Sequence, residues 1–148
     1  MACRNRVVRR GTTLLAVVAA LALSGPASAA APNYILVSGP GLSRPILLGD
    51  WKENLDLLAA VANAPRARGA SVRGLASRPR FDLAEFWGWS GNARPTRPRD
   101  ANQHGTFYPA RGSKPAVVVL MVDGSRVPRL APTAALRILA RHGVPTRR

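Results

Sequence analysis

The longest apolar run of the chain, apart from one near its start, lies at residues 115–122 and reads Pro-Ala-Val-Val-Val-Leu-Met-Val. Three consecutive valines favour a β-strand, because β-branched side chains suit a pleated backbone. Successive side chains of a strand point to opposite faces, and here both faces are apolar. We therefore expect Ala116 to Val122 to form a central strand that is covered on both sides.

Shorter apolar runs predict the strands around it. Tyr34 to Val37 and Pro45 to Leu48 flank a turn rich in glycine and proline, so we expect them to pair as a hairpin. Phe81 to Trp87 alternates well enough for a third strand, with Phe81, Leu83 and Trp87 on one face. Further short strands are predicted at residues 106–108 and, after the Asp-Gly hairpin signal at 123–124, at residues 126–127.

The first predicted helix begins at Asp50 and ends near Asn63, ahead of Pro65. Glu53 follows Asp50 by three residues, as in a capping box, and we assign both acids to capping rather than to acid–base catalysis. The predicted apolar stripe comprises Trp51, Leu55, Leu58 and Ala62, widened by Leu57 and Val61. Lys52, Asn54 and Asp56 are expected to face water.

The second predicted helix begins with Pro132 at its first position and ends at Gly143. Its predicted apolar face comprises Leu136, Leu139 and Ala140, with Ile138 beside them. Arg141 and His142 lie at the negative end of the helix dipole, so His142 is interpreted as a helix-end cation and not as a ligand. The elements together predict an α+β fold, a mainly antiparallel sheet of about five strands with two helices packed on it.

The first 29 residues have the three parts of a secretory signal peptide. Arginines at positions 4, 6, 9 and 10 form a positive head, and residues 14–23 form a short apolar segment. Ala27-Ser28-Ala29 then supplies the small residues of a cleavage site. The apolar segment is too short to span a membrane. We therefore expect residues 30–148 to be one domain that is secreted or held in the cell envelope, without a transmembrane anchor.

The charge is strongly positive, and cleavage does not remove the excess. The full chain has 22 basic and 7 acidic side chains and a net charge of +15. Without the four leader arginines, 18 basic side chains face the same 7 acids, a net charge of +11. The single cysteine, Cys3, leaves with the leader, so no disulfide is expected and an apolar core has to provide the stability.

Two basic, irregular loops, at residues 65–80 and 90–105, are the candidate binding segments. An exported protein of this charge is attracted to anionic envelope polymers or lipid headgroups. Export and the lack of a recognition motif disfavour nucleic acid. Only Lys52 and Lys114 are lysines, so the alternative is that a GC-rich genome explains the arginines and that they serve solubility. The candidate contacts are Arg66, Arg68, Arg73, Arg78, Arg94, Arg97 and Arg99.

The same loops leave the third strand from opposite ends. Seven residues at about 3.3 Å each separate those ends by roughly 23 Å, which argues against one continuous patch. Trp87, Trp89 and Tyr108 are a second candidate contact surface, where sugar rings would stack on aromatic faces. Large aromatics are also commonly the rim of a core, and we favour that interpretation.

Catalytic chemistry has little support in the sequence. With two histidines and no cysteine after cleavage, no metal-ligand spacing is present, and no cofactor is predicted. A triad of Asp100, His104 and Ser90 would lie within one irregular loop, and no Gly-x-Ser-x-Gly motif accompanies it. We therefore expect a non-catalytic binding module, and the alternative is a small secreted hydrolase that uses His104.

A turn pattern resembles that of small secreted actinobacterial proteins of no known activity. It consists of Gly39-Pro40-Gly41-Leu42 leading to Pro45-Ile46, and of Gln103 and Tyr108-Pro109 leading to Gly112 and Pro115. The resemblance implies an envelope or extracellular protein and transfers no catalytic residue.

Overall fold

Six strands form one antiparallel sheet in the computed structural model, which describes residues 31–91, 93–122 and 125–147. The expected signal peptide, residues 1–29, lies outside the described residues. The strand order across the sheet is β2-β1-β3-β4-β5-β6, and every neighbouring pair is antiparallel. The strands are β1 Tyr34–Ser38, β2 Ile46–Leu48, β3 Phe81–Phe86, β4 Gln103–Tyr108, β5 Val117–Val122 and β6 Ser125–Leu130.

The predicted α+β fold is confirmed, with six strands where about five were expected. Strand β6 pairs with β5 along its full length, from Ser125 opposite Val122 to Leu130 opposite Val117. The apolar pattern suggested a shorter return strand because Pro128 and Arg129 interrupt it. Proline is tolerated in β6 because the strand lies near the edge, where its missing N–H costs no ladder bond.

The central apolar run forms β5, which lies between β4 and β6 as predicted. Val118 and Leu120 are buried in the main core, and Val117 is buried on the opposite face. Farther along that opposite face Val119 is half-buried and Met121 is 40% exposed. The expectation that both faces are covered is therefore wrong for this part of β5, because both helices pack on the other side of the sheet.

Helices α1 (Trp51–Ala62) and α2 (Thr133–Arg141) pack against each other and against one face of the sheet. Their buried residues join those of β1, β3, β4 and β5 in one core cluster. A smaller cluster on the opposite face consists of Leu36, Ala84 and Phe86, with Trp89 packed against it. Three short 3-10 turns complete the described structure, at Gly69–Ser71, Leu75–Ser77 and Pro98–Asp100.

Helix α1 buries a face that overlaps the predicted one only in part. Trp51 is 63% exposed, whereas Asn54, Leu57 and Val61 are buried. The Asn54 amide nitrogen donates to the carbonyls of Pro32 at 3.2 Å, Asn33 at 3.3 Å and Leu48 at 3.4 Å. These acceptors offset the cost of burying a polar amide, which explains why Asn54 does not face water.

Helix α2 also departs from its predicted face and start. Pro132 is the N-cap residue, one position before the helix begins. Ala135, Ile138 and Leu139 are buried, whereas Ala140 is exposed. The helix ends as expected before Gly143, whose φ of 83° lies in the left-handed region that glycine adopts readily.

The two helices are joined at one end by an ion-pair cluster. Asp50 caps α1 as predicted, accepting from the backbone N–H groups of Lys52 at 2.8 Å and Glu53 at 3.2 Å. The Glu53 carboxylate instead contacts the Arg141 guanidinium, and its Oε2 lies 2.7 Å from His142 Nε2. Glu53 therefore links α1 to the end of α2, and its assignment to capping alone is wrong. His142 is the C-cap residue of α2, in agreement with its predicted place at the helix end.

Candidate anion-binding site

Several chain segments meet at the end of the sheet where β3 begins, which we call the Phe81 end. Strands β1 and β4 run antiparallel to β3, with Ser38 opposite Asp82 and Phe107 opposite Phe81. The β1–β2 turn and the β4–β5 connection therefore both lie at this end. The loop at residues 65–80 also arrives here, because it leads directly into Phe81.

Arg78 braces the β4–β5 connection from within. Its side chain is buried, and its Nη2 donates to the carbonyl oxygens of Pro109 and of Pro115, the latter at 2.9 Å. Those two carbonyls lie on either side of the connection, so one guanidinium holds both of its ends. Burial lowers the pKa of Arg78, Tyr108 acts in the opposite direction, and the charge of nearby Arg111 lowers it further.

The burial of Arg78 changes its assignment. The sequence placed it with the exposed arginines of a loop expected to be irregular, but that loop contains two 3-10 turns and a buried Ala67. A buried side chain whose Nη2 is held by two main-chain carbonyls is unsuited to contact a polymer. We therefore regard Arg78 as a structural residue and withdraw it from the candidate contacts.

The β4–β5 connection forms a tight hairpin beside the C-terminal segment. Arg111 and Lys114 exchange two backbone hydrogen bonds of 3.0 Å each, and Gly112 between them has a φ of 55°. Ala110 N–H donates to the carbonyl of Thr146 at 3.0 Å, which brings Arg147 alongside. The hairpin and this segment border a cleft of about 390 Å³, here called the β4–β5 cleft, lined by Ala110, Gly112, Ser113, Lys114, Pro115 and Arg147.

The β4–β5 cleft is basic. Lys114 and Arg147 are the charged residues of its lining, Ser113 adds a hydroxyl, and no acidic residue lines it. Further exposed cations lie at the same end of the sheet. Together with the two in the lining they form the set that we call the Phe81-end cations: Arg44, Arg73, Arg80, Arg111, Lys114 and Arg147. Among the residues that the structure describes, none of these six takes part in an ion pair; the ion pairs there involve Lys52, Arg99, Arg141 and His142.

Other cations are bound to groups of the protein itself. Arg126 donates to the Thr106 hydroxyl at 3.1 Å, and Arg129 donates to the Ala64 carbonyl at 2.6 Å. Of the acids, Asp50, Glu53 and Asp56 lie at or near the start of α1, away from the Phe81 end. Asp82 is exposed and lies opposite Ser38, so it is an acid at the Phe81 end, and it offsets the six cations there only in part.

The remaining candidate arginines fall into two groups, as their sequence positions suggested. Arg66, Arg68 and Arg73 are exposed on the loop that leads into β3. The exposed arginines Arg94, Arg97 and Arg99 lie on the loop that follows β3, at the opposite end of the strand, and Arg99 approaches Asp100 at 3.9 Å.

Arg111, Lys114 and Arg147 were missed by the sequence reasoning. The segment Arg111-Gly112-Ser113-Lys114 was assigned only to a turn, although two basic residues flanking Gly-Ser were a usable signal. Arg147 lies beside Ala110 through a contact between segments that are distant in sequence, and no local sequence pattern predicts that contact.

The three candidate aromatic contacts do not form one surface. Trp87 and Trp89 follow the end of β3, whereas Tyr108 lies at the end of β4 next to Phe81, so the strand separates them. Trp89 packs edge-to-face on Phe86, with ring centroids 5.3 Å apart, and its Nε1 donates to the Ala93 carbonyl at 2.9 Å. This is the arrangement of a core-rim residue, the interpretation we favoured.

Glu85 is a buried acid beside those tryptophans. Its side chain is 3% exposed, and its Oε2 accepts from Trp87 Nε1 at 3.1 Å. Burial raises the pKa of Glu85, and the hydrogen bond from Trp87 opposes this only in part. The alternation of β3 assigns Glu85 to the face of Phe81 and Leu83, so its position was readable from the sequence.

His104 lies in β4 opposite Ala84 and is exposed. Within the described ranges, no hydrogen bond joins it to Asp100 or Ser90, the other members of the candidate triad. Those ranges also contain no group of three or more His, Cys, Asp or Glu side chains arranged to hold a metal ion. The hydrolase hypothesis therefore has no contact to build on, and we do not develop it.

Comparison with known proteins gives no family for this chain. No protein-family model matches it, and no significant match was found among the curated proteins or the solved structures. In the part of the chain that the structure describes, none of the helices has the length and apolar character needed to cross a membrane. The geometry of the Phe81 end is thus the basis for a functional proposal.

Proposed function

We propose that this chain is an exported, non-catalytic binding module that holds anionic polymers in the cell envelope or outside the cell. The observation that carries the proposal is the set of Phe81-end cations, six exposed side chains without an ion-pair partner among the described residues. Cations that are not neutralised within the protein are free to pair with an external anion.

The arrangement of these cations favours binding over a purely compositional origin. Where arginines merely reflect genome composition, no particular end of the fold needs to collect them. Here the cations come from segments that are distant in sequence, with Arg44 in the β1–β2 turn, Arg111 in the β4–β5 connection and Arg147 near the end of the chain. Two of them, Lys114 and Arg147, line a cleft that is large enough to admit a charged group.

Binding should be electrostatic and should depend on salt. The affinity of the purified chain for a phosphodiester polymer such as poly(glycerol phosphate) should be measurable at low ionic strength. Its logarithm should fall roughly linearly with the logarithm of the salt concentration, because each contact releases counterions from the polymer. Isothermal titration calorimetry at several salt concentrations gives this slope, with dextran as the uncharged control polymer.

The absence of polymer binding at low salt would contradict the proposal, as would an affinity that does not change with salt. Binding to phosphatidylglycerol vesicles without binding to the polymer would also contradict it, because a membrane surface would then be the partner.

Export is the second part of the proposal, and it rests on the leader pattern of residues 1–29 and on the resemblance to secreted proteins. N-terminal sequencing of the product from an expressing host should begin at Ala30, or one residue later because Ser28 and Ala30 also suit the cleavage rule. Cys3 leaves with the leader, so reducing agent should not change the melting temperature of the product. An intact Met1 in the exported product would show that no leader is removed.

A further inference from the structure

The β4–β5 cleft has the composition of a site for one small anion. We propose that it binds a single phosphate group, presented either as a phosphodiester unit of a polymer or as a free phosphate ion. This inference rests on the proposed function and makes it specific, because it assigns the polymer's recognised unit to one cleft and to named donors.

The hairpin at the cleft directs two main-chain donors outward. The reciprocal bonds of Arg111 and Lys114 use the N–H groups of those two residues. The N–H groups of Gly112 and Ser113, between them, have no hydrogen-bond partner among the described residues, and both residues are exposed. Consecutive free amides of a turn that contains a left-handed residue are a recurrent element of anion sites.

Side chains add charge to these amides. Lys114, Arg147 and Ser113 all line the same cleft, and their side chains carry an ammonium, a planar guanidinium and a hydroxyl group. A phosphate group carries three strong acceptor oxygens when it is a monoester, and guanidinium and ammonium groups both bind it well. A phosphodiester unit offers two non-bridging oxygens, as many as a carboxylate, but the oxygens of a phosphate are arranged tetrahedrally, whereas those of a carboxylate lie in one plane with its carbon. The carboxylate is therefore the poorer match to donors that come from several segments.

The frame of the cleft is fixed before any ligand arrives. Arg78 holds the carbonyls of Pro109 and Pro115, and Ala110 holds Thr146. The loop at residues 65–80 approaches from the side, since Lys114 Nζ lies 3.7 Å from the position that a Cβ at Gly74 would occupy. Less ordering is required on binding when the walls are already in place, so a modest number of donors suffices.

The test is a titration of the full chain with inorganic phosphate, followed by the amide shifts of Gly112 and Ser113 in ¹H–¹⁵N spectra at constant ionic strength. We expect these two amides to shift along a saturable curve, and acetate at the same ionic strength to produce no saturable shift. Lys114→Gln and Arg147→Gln should each weaken phosphate binding about ten-fold, the size expected for one charge-assisted hydrogen bond. Lys114→Arg should retain most of the affinity.

The matched control is Lys52→Gln, which removes the same charge at the exposed start of α1, away from the Phe81 end. It should leave the phosphate affinity within about two-fold of the wild type, since exposed charges are screened over roughly 10 Å at 0.1 M salt. Unchanged spectra away from the cleft establish that each variant is folded. Shifts that saturate neither with inorganic phosphate nor with poly(glycerol phosphate), equal saturation by acetate, or equal losses in Lys114→Gln and Lys52→Gln would overturn the inference.

Poly(glycerol phosphate), added to the same samples, distinguishes a phosphodiester unit from a free phosphate ion as the ligand. It also distinguishes the cleft assignment from the proposed function. Shifts of Gly112 and Ser113 with the polymer but not with the free ion assign the site to the phosphodiester unit. Polymer binding that leaves both amides unshifted would overturn the cleft assignment and leave the proposed function standing. Saturable phosphate binding without any polymer binding would support the cleft and contradict the proposed function.

Discussion

Glu85 in β3 carries a polar carboxyl group at a position that faces the core. The strand places it on the face that carries Phe81 and Leu83, where an apolar residue would be the usual choice. Its Oε1 lies 3.3 Å from the point that a Cβ at Gly105 would occupy, so the absence of a side chain at that position leaves room for the carboxyl group. The Trp87 indole donates to the other oxygen. The carboxyl group is thus accommodated, but in a setting that disfavours its ionised form.

The raised pKa of Glu85 predicts a particular pH dependence of stability. A carboxyl group whose folded-state pKa exceeds its ordinary value of 4.5 contributes stability that is complete below that value. This contribution is lost as pH rises through the folded-state pKa, because ionisation is costlier in the folded chain than in the unfolded one. Glu85→Gln should therefore gain stability relative to the wild type as pH rises from about 4.5 to 7.

Urea unfolding at a series of pH values measures that difference. Asp56→Asn is the control, because it makes the same carboxyl-to-amide change at an exposed position. A Glu85→Gln variant whose free energy of unfolding runs parallel to that of the wild type across this range would show that the burial of Glu85 has no energetic consequence.

The conformation of the β1–β2 turn depends on residues that are distant in sequence. The sequence predicts this turn from its glycines and proline, and the structure adds a packing reason for one of them. A Cβ at Gly39 would lie 2.5 Å from Phe81 Cδ1 and 2.9 Å from the Arg80 carbonyl oxygen. Glycine therefore allows the turn to lie directly against the start of β3.

Gly39→Ala should lower the free energy of unfolding by about 1–3 kcal/mol, the usual cost of overpacking a well-filled site. Gly49→Ala is the matched control, since its nearest neighbour is the Tyr34 ring at 3.3 Å, which needs to move only slightly. Thermal melts of both variants compare the two sites. Equal melting temperatures for Gly39→Ala and the wild type would show that the turn does not depend on this close approach.

Local pattern predicted which elements exist better than it predicted what they contact. Alternation and helical spacing located β1, β3, β5 and both helices to within a few residues, because these signals are contained in each segment. The predicted face of α1 was only partly right: Leu57 and Val61 are buried and Leu58 packs against the core, but Trp51 is exposed. Asn54 is buried because its amide donates to the carbonyl groups of Pro32, Asn33 and Leu48. The helical periodicity of α1 contains no information about these carbonyl groups.

For the candidate site, too, the sequence predicted the type of residue better than its contacts. The sequence indicated a basic surface but assigned it to two loops, and one of the seven arginines named, Arg78, is a buried brace. The β4–β5 cleft requires Arg147 to lie beside Ala110, which follows from the return of the chain after α2. Charge counting cannot supply that juxtaposition, because it contains no information on which segments meet.

Across the described residues, acids and bases are only partly segregated, since Asp82 lies at the Phe81 end. Three of the acids lie at the start of α1, where they cap it or pair with Lys52, Arg141 and His142, whereas the Phe81-end cations have no ion-pair partner in the described part of the chain. If net charge alone drives binding, the affinity does not depend on which cations are removed. If the polymer binds at the Phe81 end, the location of a removed cation affects the affinity more than the change in net charge does.

The most direct test of this account compares two double variants of equal charge. Lys114→Gln with Arg147→Gln removes two cations at the β4–β5 cleft, and Arg94→Gln with Arg97→Gln removes two at the opposite end of β3. Both variants lose two charges and are otherwise identical, including residues 1–29, so a difference in their affinity for poly(glycerol phosphate) reports the position of the lost charges alone. The affinity is measured at about 0.1 M salt, where charges are screened over roughly 10 Å. We predict that the first pair weakens binding at least ten-fold and reduces the salt slope by about one, because both cations contact the same phosphate group, while the second pair changes either quantity only slightly. Equal losses of affinity in the two variants would contradict the account and would leave net charge as the whole explanation.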